Sequence, residues 1–366
     1  MTGMSALLEK IGLPSCSEIY ILYGLAAIPC IWMGLYLLSN LSMLLLGPVN
    51  LKKKYDAKWA LVTGAATGIG RSLAESMALQ GLNVVLVSLP DKHLEKAEKE
   101  LKATFPELEF RAVPAVFDHK TDYMPAIIEA TEDIDVQVIW NNAGYIVTGF
   151  FDHTTVDAQL ANLECNATAC VKVTHHFLQK LLRKGQKGTF IFTSSLSGYI
   201  PNPFGVIYGA TKSFVSQFAG SLAVEVRNRG IDVVCVHPSP VASNFFDKAH
   251  KLESLDLFKL AAVAPSAIPG KMLTTVGRCH LADMGAIACF GRVIVACVPY
   301  DFLCSVFSFF APLLPDYNNN DKNRGIVQAP PRRAPEPAPK SETKAKGKAR
   351  SKSPAKGRSK SPARKR

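Results

Sequence analysis

The sequence predicts an α/β domain that follows an N-terminal membrane helix and runs into a disordered basic tail. Three observations predict this. Apolar runs of strand length alternate with helical patterns from Trp59 onward. A nearly uncharged apolar segment precedes them, and from Ala329 the composition shifts to Pro, Ala, Lys and Ser with no core-forming residues.

The leading segment, Ile19 to Leu46, carries Pro29 near its middle and no charge between Glu18 and Lys52. At about 1.5 Å per residue it exceeds a hydrocarbon core of about 30 Å. It is too long for a signal-peptide core and lacks a small-residue cleavage site, so it reads as a retained anchor rather than a buried soluble helix. Lys52, Lys53, Lys54 and Lys58 follow directly, and the positive-inside rule places the following domain in the cytosol. The expected division is an anchor over 1–51, the α/β domain over 52–284, an apolar segment over 285–317 and a tail over 318–366.

A chain of 366 residues accommodates one α/β domain of about 250 residues with flanking segments. The net charge of +12 raises the question of nucleic acid. However, 14 of the 42 basic and 2 of the 30 acidic residues lie between Arg332 and Arg366, which leaves 28 of each elsewhere. The body is neutral, so nucleic acid is not an expected partner of the domain. Nine cysteines show no C-x-x-C and no metal-like spacing with the eight histidines, and read as reduced thiols. His175 and His176 are adjacent and do not share a helix face, so no metal is expected there.

The α/β region opens with the buried strand Trp59–Val62, the turn Thr63-Gly64-Ala65-Ala66-Thr67-Gly68-Ile69-Gly70 and a helix from Ser72. A strand, a glycine turn and a helix start present backbone N–H groups and the positive helix end to a pyrophosphate. Gly64, Thr67, Gly68, Ile69 and Gly70 are therefore candidate cofactor residues, although the spacing differs from the usual G-x-G-x-x-G. A second strand, Asn83–Ser88, ends at Ser88, where an acid would bind a ribose 2′-hydroxyl; its absence favours NADP(H) over NAD(H), and Lys92 or His93 could supply charge while Asp91 argues the other way. Lys92 to Leu101 reads as a solvated helix and Val113 to Asp118 as the third strand. Val136–Trp140 runs into Asn141-Asn142-Ala143-Gly144, and Gly188–Thr193 ends at Ser194-Ser195. Tyr208 and Lys212 are four apart, on one helical face. A nearby ammonium lowers a phenol pKa of roughly 10, so the pair suits general acid–base work on a carbonyl or alcohol. Each run alone could be an ordinary turn or surface pair; in this order they are specific.

Across residues 57 to 280 these motifs resemble the short-chain dehydrogenase/reductase family: its cofactor turn at Thr63–Gly70, its NNAG at Asn141–Gly144, and its YxxxK at Tyr208 and Lys212 with Ser195 thirteen positions earlier. The resemblance implies a Rossmann-type doubly wound parallel sheet, an NAD(P) cofactor and hydride transfer at a ketone or secondary alcohol. It assigns Asn166, Ser195, Tyr208 and Lys212 to catalysis, with Asn166 completing a water relay. It assigns Asn142, Ala143, Gly144, Tyr208, Lys212, Pro238, Val241 and Ser243 to the cofactor, with Ser239 in place of the family's usual Gly. Asp118 matches the adenine contact; a plain helix N-cap is its alternative.

A closer resemblance is to the membrane-bound branch of 17-beta-hydroxysteroid dehydrogenases and very-long-chain 3-oxoacyl-CoA reductases, through Lys58–Gly64, Ile207–Val215 and Pro265-Ser266…Thr275-Val276-Gly277. Leu89 departs from that branch's usual Arg, and Ala143 from the Val of several relatives. The branch implies the endoplasmic reticulum, a cytosol-facing domain, a lipophilic ketone such as a 3-oxoacyl-CoA or a steroid, and a second copy as a partner. A retinol or other lipid alcohol, or a catalytically idle scaffold acting through its tail, are the alternatives. Residues 244–270 are expected to form the substrate lid, greasy with Phe245, Phe246, Leu252, Leu255, Leu257 and Phe258. Gly285–Leu314, interrupted by Arg292, Pro299 and Asp301, reads as a helix or hairpin dipping into the membrane, or as a packed C-terminal helix. The tail carries an eight-residue repeat from Ser351 and from Ser359, suited to anionic lipid headgroups, with Ser353 and Ser361 as sites where phosphorylation would weaken the contact. The Asn166-Ala167-Thr168 sequon is not expected to meet the glycosylation machinery.

Overall fold

The computed structural model describes residues 16–242, 245 and 262–321. Phe246–Phe258 of the expected lid, Ser243 and the basic tail lie outside the described residues.

Seven parallel strands form the sheet: β1 (Trp59–Thr63), β2 (Asn83–Ser88), β3 (Phe110–Pro114), β4 (Val136–Asn141), β5 (Gly188–Thr193), β6 (Ile231–Pro238) and β7 (Leu281–Met284), in the spatial order 3-2-1-4-5-6-7. β1, β4 and β5 are buried along their whole length, as parallel strands covered by helices on both faces must be. The order reverses between β1 and β4, whose register pairs Val62 with Trp140. That crevice at the carboxyl ends of the strands is where such sheets bind ligands.

The preceding helices are α1 (Cys16–Leu45) and α2 (Leu51–Tyr55), and α3 (Gly68–Leu79) and α4 (Lys92–Thr104) follow β1 and β2. One face of the sheet carries α3 and α4 with α9 (Ile268–Thr275), around Leu73, Met77, Leu86, Leu101 and Met272. The other carries α5 (Met124–Glu129), α7 (Ala169–Lys184) and α8 (Val206–Val226), around Ile127, Phe177, Phe190 and Ala219. Trp140 is fully buried and its indole N–H meets Met77 Sδ at 3.3 Å.

α1 is the one described helix long and apolar enough to cross a membrane by itself. A stripe of it, Trp32, Met33, Tyr36, Asn40, Ser42 and Met43, is half-buried while the other residues between are exposed, close to the spacing of one helical face against the domain. α2 then fastens to the sheet: the Tyr55 hydroxyl donates to Asp232 at 2.6 Å and Lys54 pairs with the same carboxylate at 2.8 Å. Downstream of β7, α10 (Ala286–Cys297) and α11 (Tyr300–Phe310) meet at 114°. A short α12 (Pro315–Asp321) ends the described chain.

The third strand lies earlier than the sequence suggests, at Phe110–Pro114 rather than Val113–Asp118. Its ladder to β2 ends with Ser88 opposite Pro114, whose imide N faces the open edge, while Ala115 N donates to Ser88 O at 2.8 Å.

Candidate active site

The glycine turn leaves β1 at Gly64 (φ +66°) and enters α3 at Gly68 (φ +56°). A Cβ at Gly70 would collide with the Gly64 carbonyl and the Asn142 side chain, so only glycine lets the turn fold this tightly onto β4. Thr67, the N-cap of α3, makes no side-chain capping bond. The helix's first N–H groups are thus left for an acceptor other than the cap side chain. The turn is tied to the NNAG segment by Thr63: its Oγ1 accepts from the backbone N–H of Asn142 (2.9 Å) and Ala143 (3.0 Å). Gln80, at the far end of α3, accepts from Leu51 N at 2.7 Å, which joins the cofactor turn's helix to the segment entering from α1.

Ser88 ends β2 without an acid beside it. Asp91 is already committed: its carboxylate accepts from His93 N (2.9 Å) and Leu94 N (3.1 Å) as the N-cap of α4. Asp118 is half-buried and its Oδ1 accepts from Lys120 N at 2.8 Å. This closes a local turn and does not cap a helix, since α5 begins only at Met124.

Asn166 lies in a π turn, Glu164–Thr168, between α6 (Val156–Leu163) and α7. One extra residue per turn aims its side chain at the carboxyl edge of the sheet. Its amide clasps Tyr145, the residue after NNAG, from both sides: Oδ1 accepts from Tyr145 N (3.0 Å) and Nδ2 donates to Tyr145 O (2.8 Å). The turn is braced by buried Glu164, which accepts from the Tyr123 hydroxyl (2.5 Å) and from Lys172 (2.6 Å). A Cβ at Gly144 would stand 3.1 Å from Asn166 Oδ1 and 3.4 Å from Lys212 Nζ, so Gly144 lies between these two side chains. A cavity of about 10 Å³, lined by Asn141, Asn166, Cys165, Cys170 and Thr193 among others, adjoins them, room for about one water.

Tyr208 and Lys212 sit in the first two turns of α8, both buried. Lys212 Nζ donates to Thr193 O at 2.8 Å and lies 5.6 Å from the Tyr208 ring centroid. Ser195, just past β5, accepts from Ser197 N at 3.2 Å and lies close enough to Tyr208 to influence its phenol. Burial pushes the Tyr208 phenol up to about 12, and the neighbouring Ser195 hydroxyl draws it back only in part. Burial also lowers the Lys212 ammonium. The structure thus brings Asn166, Ser195, Tyr208 and Lys212 together from three segments: the π turn, the end of β5 and α8.

Ser239, where a Gly was expected, is buried and serves the chain beyond it: its Oγ accepts from Ala288 N at 3.1 Å in the first turn of α10. Pro238 ends β6, and Val241 forms a lone parallel bridge with Val263. His175 and His176 assemble with no metal-binding set, and among the described residues there is none. Phe245, expected in the lid, lies 5.6 Å from Tyr208 between ring centroids; the spacing argument gave no sign of a second aromatic group, in which Phe150 lies 5.0 Å from Phe204 and 5.2 Å from Tyr317. Phe204 holds its place at φ +62°, a costly conformation for a bulky residue and a mark of functional loops.

A family model for short chain dehydrogenases matches residues 58–253. The chain is similar to very-long-chain 3-oxoacyl-CoA reductase-B of Danio rerio, 28% identical over 265 residues, covering 70% of this chain and 82% of that one. It is also similar to 17-beta-hydroxysteroid dehydrogenase type 3 of Mus musculus, 32% identical over 188 residues, covering 51% of this chain and 61% of the relative. Among solved structures it superposes on a 7beta-hydroxysteroid dehydrogenase (TM-score 0.63, 22% identity, 71% of this chain and 100% of that one) and on a short-chain dehydrogenase from Sphingobium yanoikuyae in complex with NADPH (TM-score 0.57, 24% identity, 69% and 94%). The crevice at the β1/β4 reversal, the uncapped helix start and the assembled Ser–Tyr–Lys–Asn cluster fit that match, and the chain belongs to the short-chain dehydrogenase/reductase family of NAD(P)-dependent oxidoreductases.

Proposed function

We propose that this chain is a membrane-anchored NADPH-dependent reductase of a lipophilic ketone, with a 3-oxoacyl-CoA of long chain as its substrate. The observation that carries the chemistry is the cluster of Tyr208, Lys212, Ser195 and Asn166 at the carboxyl edge of the sheet. The choice of ketone follows the names of the relatives, and the apolar rings of Phe245 and the Phe150–Phe204–Tyr317 group beside the site suit it.

Bound nicotinamide supplies the hydride. The residues of this chain do the rest. The N–H groups of Gly68, Ile69 and Gly70 receive the pyrophosphate, and Ser88 leaves room for a phosphate on the adenosine ribose. Lys212 holds the nicotinamide ribose. Tyr208 gives its proton to the carbonyl oxygen as charge develops there, while Ser195 holds that oxygen by a hydrogen bond. Water ordered beside Asn166, which is locked by Tyr145, returns a proton from solvent by way of Lys212 to Tyr208.

The anchor, with the bent apolar pair α10–α11 beside it, places the domain on a membrane surface. Phe290, Tyr300, Phe302, Phe309, Phe310 and Leu313 are all more than half exposed, and lipid would cover them. Endoplasmic reticulum residence with the domain in the cytosol, and contact of the basic tail with anionic lipid, complete the reading. A steroid is the second substrate, favoured by the mouse relative. An idle scaffold is disfavoured by the intact cluster.

The experiment is NADPH oxidation by the detergent-solubilised chain with a long-chain 3-oxoacyl-CoA, a 17-ketosteroid and a retinal. Turnover of the acyl-CoA at least tenfold above the others in kcat/KM supports the assignment. Preference for the steroid or the retinal rejects it while leaving the oxidoreductase chemistry intact.

A further inference from the structure

Behind the catalytic helix lies a second polar cluster that the family's four residues do not include. His237, fully buried near the end of β6, faces Asp283 across the β6–β7 ladder, where the two are register partners. Its Nδ1 approaches Asp283 Oδ1 to 3.3 Å, a buried oxygen that has no hydrogen-bond partner among the described residues. Its Nε2 stands 2.9 Å from Ser216 Oγ and 2.9 Å from the Tyr199 hydroxyl. Placing the ring proton on Nδ1 turns the donor toward the carboxylate and leaves Nε2 to accept from a hydroxyl.

Asp283, His237 and Ser216 are connected as in a serine nucleophile triad, but the arrangement is not one. Ser216 is buried, with its hydroxyl engaged by the Lys212 carbonyl (2.8 Å) and by Ser194 (2.9 Å), and a nucleophile must reach an acyl group. Its contacts instead lead to the active site. Ser194 Oγ also donates to Lys212 O at 2.8 Å. Ser194 stands between Thr193, whose carbonyl holds Lys212 Nζ, and Ser195, which lies beside Tyr208. The cluster therefore clamps the end of β5 to α8 at the place where Ser195 and Tyr208 must be held at a fixed separation.

The other end of the cluster reaches the membrane helix. Asp283 Oδ2 accepts from the Tyr36 hydroxyl of α1 at 3.0 Å, and Asn40, one turn on, meets Cys289 at 3.6 Å. Tyr36 and Asn40 both belong to the half-buried stripe that faces the domain.

We propose that His237 is a positioning residue for the Ser195–Tyr208–Lys212 site, oriented by Asp283 and completed by Tyr36 from the membrane helix. The anchor is then part of the catalytic apparatus as well as a tether. This rests on the assignment of proton transfer to Tyr208, which the Tyr208→Phe variant tests separately.

The test compares Ser216→Ala, Ser216→Thr, Asp283→Asn and Tyr36→Phe in the full chain, by steady-state NADPH oxidation with the ketone that the wild type turns over and by NADPH binding. Loss of geometry without loss of binding appears in kcat rather than in KM. Ser216→Ala and Asp283→Asn should lower kcat about tenfold with NADPH affinity within about twofold, and Ser216→Thr, which keeps the hydroxyl, should recover most of it. Tyr36→Phe should lower kcat about threefold in the wild type and have no further effect on top of Asp283→Asn, because residues of one network are not additive. Unchanged kcat in Ser216→Ala and Tyr36→Phe overturns the proposal. So does a loss in Ser216→Ala that Ser216→Thr does not restore. If Asp283→Asn does not fold, the Ser216 pair and Tyr36→Phe decide the matter alone.

Discussion

Lys212 Nζ lies 5.6 Å from the centroid of the Tyr208 ring, and it is held there by a 2.8 Å bond to the carbonyl of Thr193. Both groups are buried, so burial raises the phenol and lowers the ammonium, moving each away from its charged form. The sequence motif alone suggests a phenol drawn down by its neighbour. In the protein without cofactor, desolvation is the larger influence.

This sets the pH dependence. Tyr208, pushed up to about 12, remains protonated across the neutral range. Reduction uses the protonated phenol, so its kcat/KM should be flat between about pH 6 and 9. Oxidation of the alcohol uses the phenolate, a small fraction at neutral pH, so its kcat/KM should rise nearly tenfold per pH unit over roughly pH 7 to 9. A plateau in the oxidative profile below about pH 8 would mean that the phenol titrates far lower than its burial implies.

Gly70→Ala should abolish NADPH binding in a fluorescence titration. The new methyl meets the Gly64 carbonyl and the Asn142 amide, and the turn must open to admit it. Overpacking of this kind costs about 1–3 kcal/mol, so the melting temperature should fall as well. Tight binding in a chain of unchanged stability would show that the turn yields without consequence.

Cofactor choice should hinge on Ser88. Asp91 is occupied as the N-cap of α4 and is not free to bind a ribose hydroxyl. Ser88→Asp should therefore raise the KM for NADPH by about tenfold or more and improve NADH, measured as the ratio of kcat/KM for the two cofactors. An unchanged ratio would place the discrimination elsewhere.

Glu164→Gln should loosen the π turn that presents Asn166. Burial raises the Glu164 carboxyl, but the bonds from Lys172 and Tyr123 outweigh it and leave the pKa lowered. A lowered carboxylate contributes stability that is present above its unfolded value of 4.5 and is lost as the pH falls through its folded value. The variant should be less stable than the wild type at pH 7, by about 1–3 kcal/mol, and the gap should close toward pH 3. A gap independent of pH would exclude the ion pair as its source.

Much of the fold is legible in the sequence because parallel strands buried on both faces must be continuous apolar runs; β2 and β5 read directly from Asn83–Ser88 and Gly188–Thr193. β3 was displaced because Phe110–Pro114 alternates weakly and Arg111 within it forms an ion pair with Asp133. The residues of the site were legible by type and order. What spacing does not encode is what holds them: the clasp of Asn166 on Tyr145, the left-handed Phe204, the use of Ser239 to cap α10, and the His237–Asp283 pair. These join segments tens of residues apart, where only tertiary packing sets the partners. His237 gave one signal, an ionisable residue directly after the apolar run Val233–Val236.

The central claim is that Tyr208 transfers the proton. Its most direct test is Tyr208→Phe, assayed for NADPH oxidation with the preferred ketone and, in the same preparation, for NADPH binding by fluorescence. Loss of at least about a thousandfold in kcat, with NADPH affinity within about threefold of the wild type, is the result predicted. Turnover within about tenfold of the wild type would contradict the account.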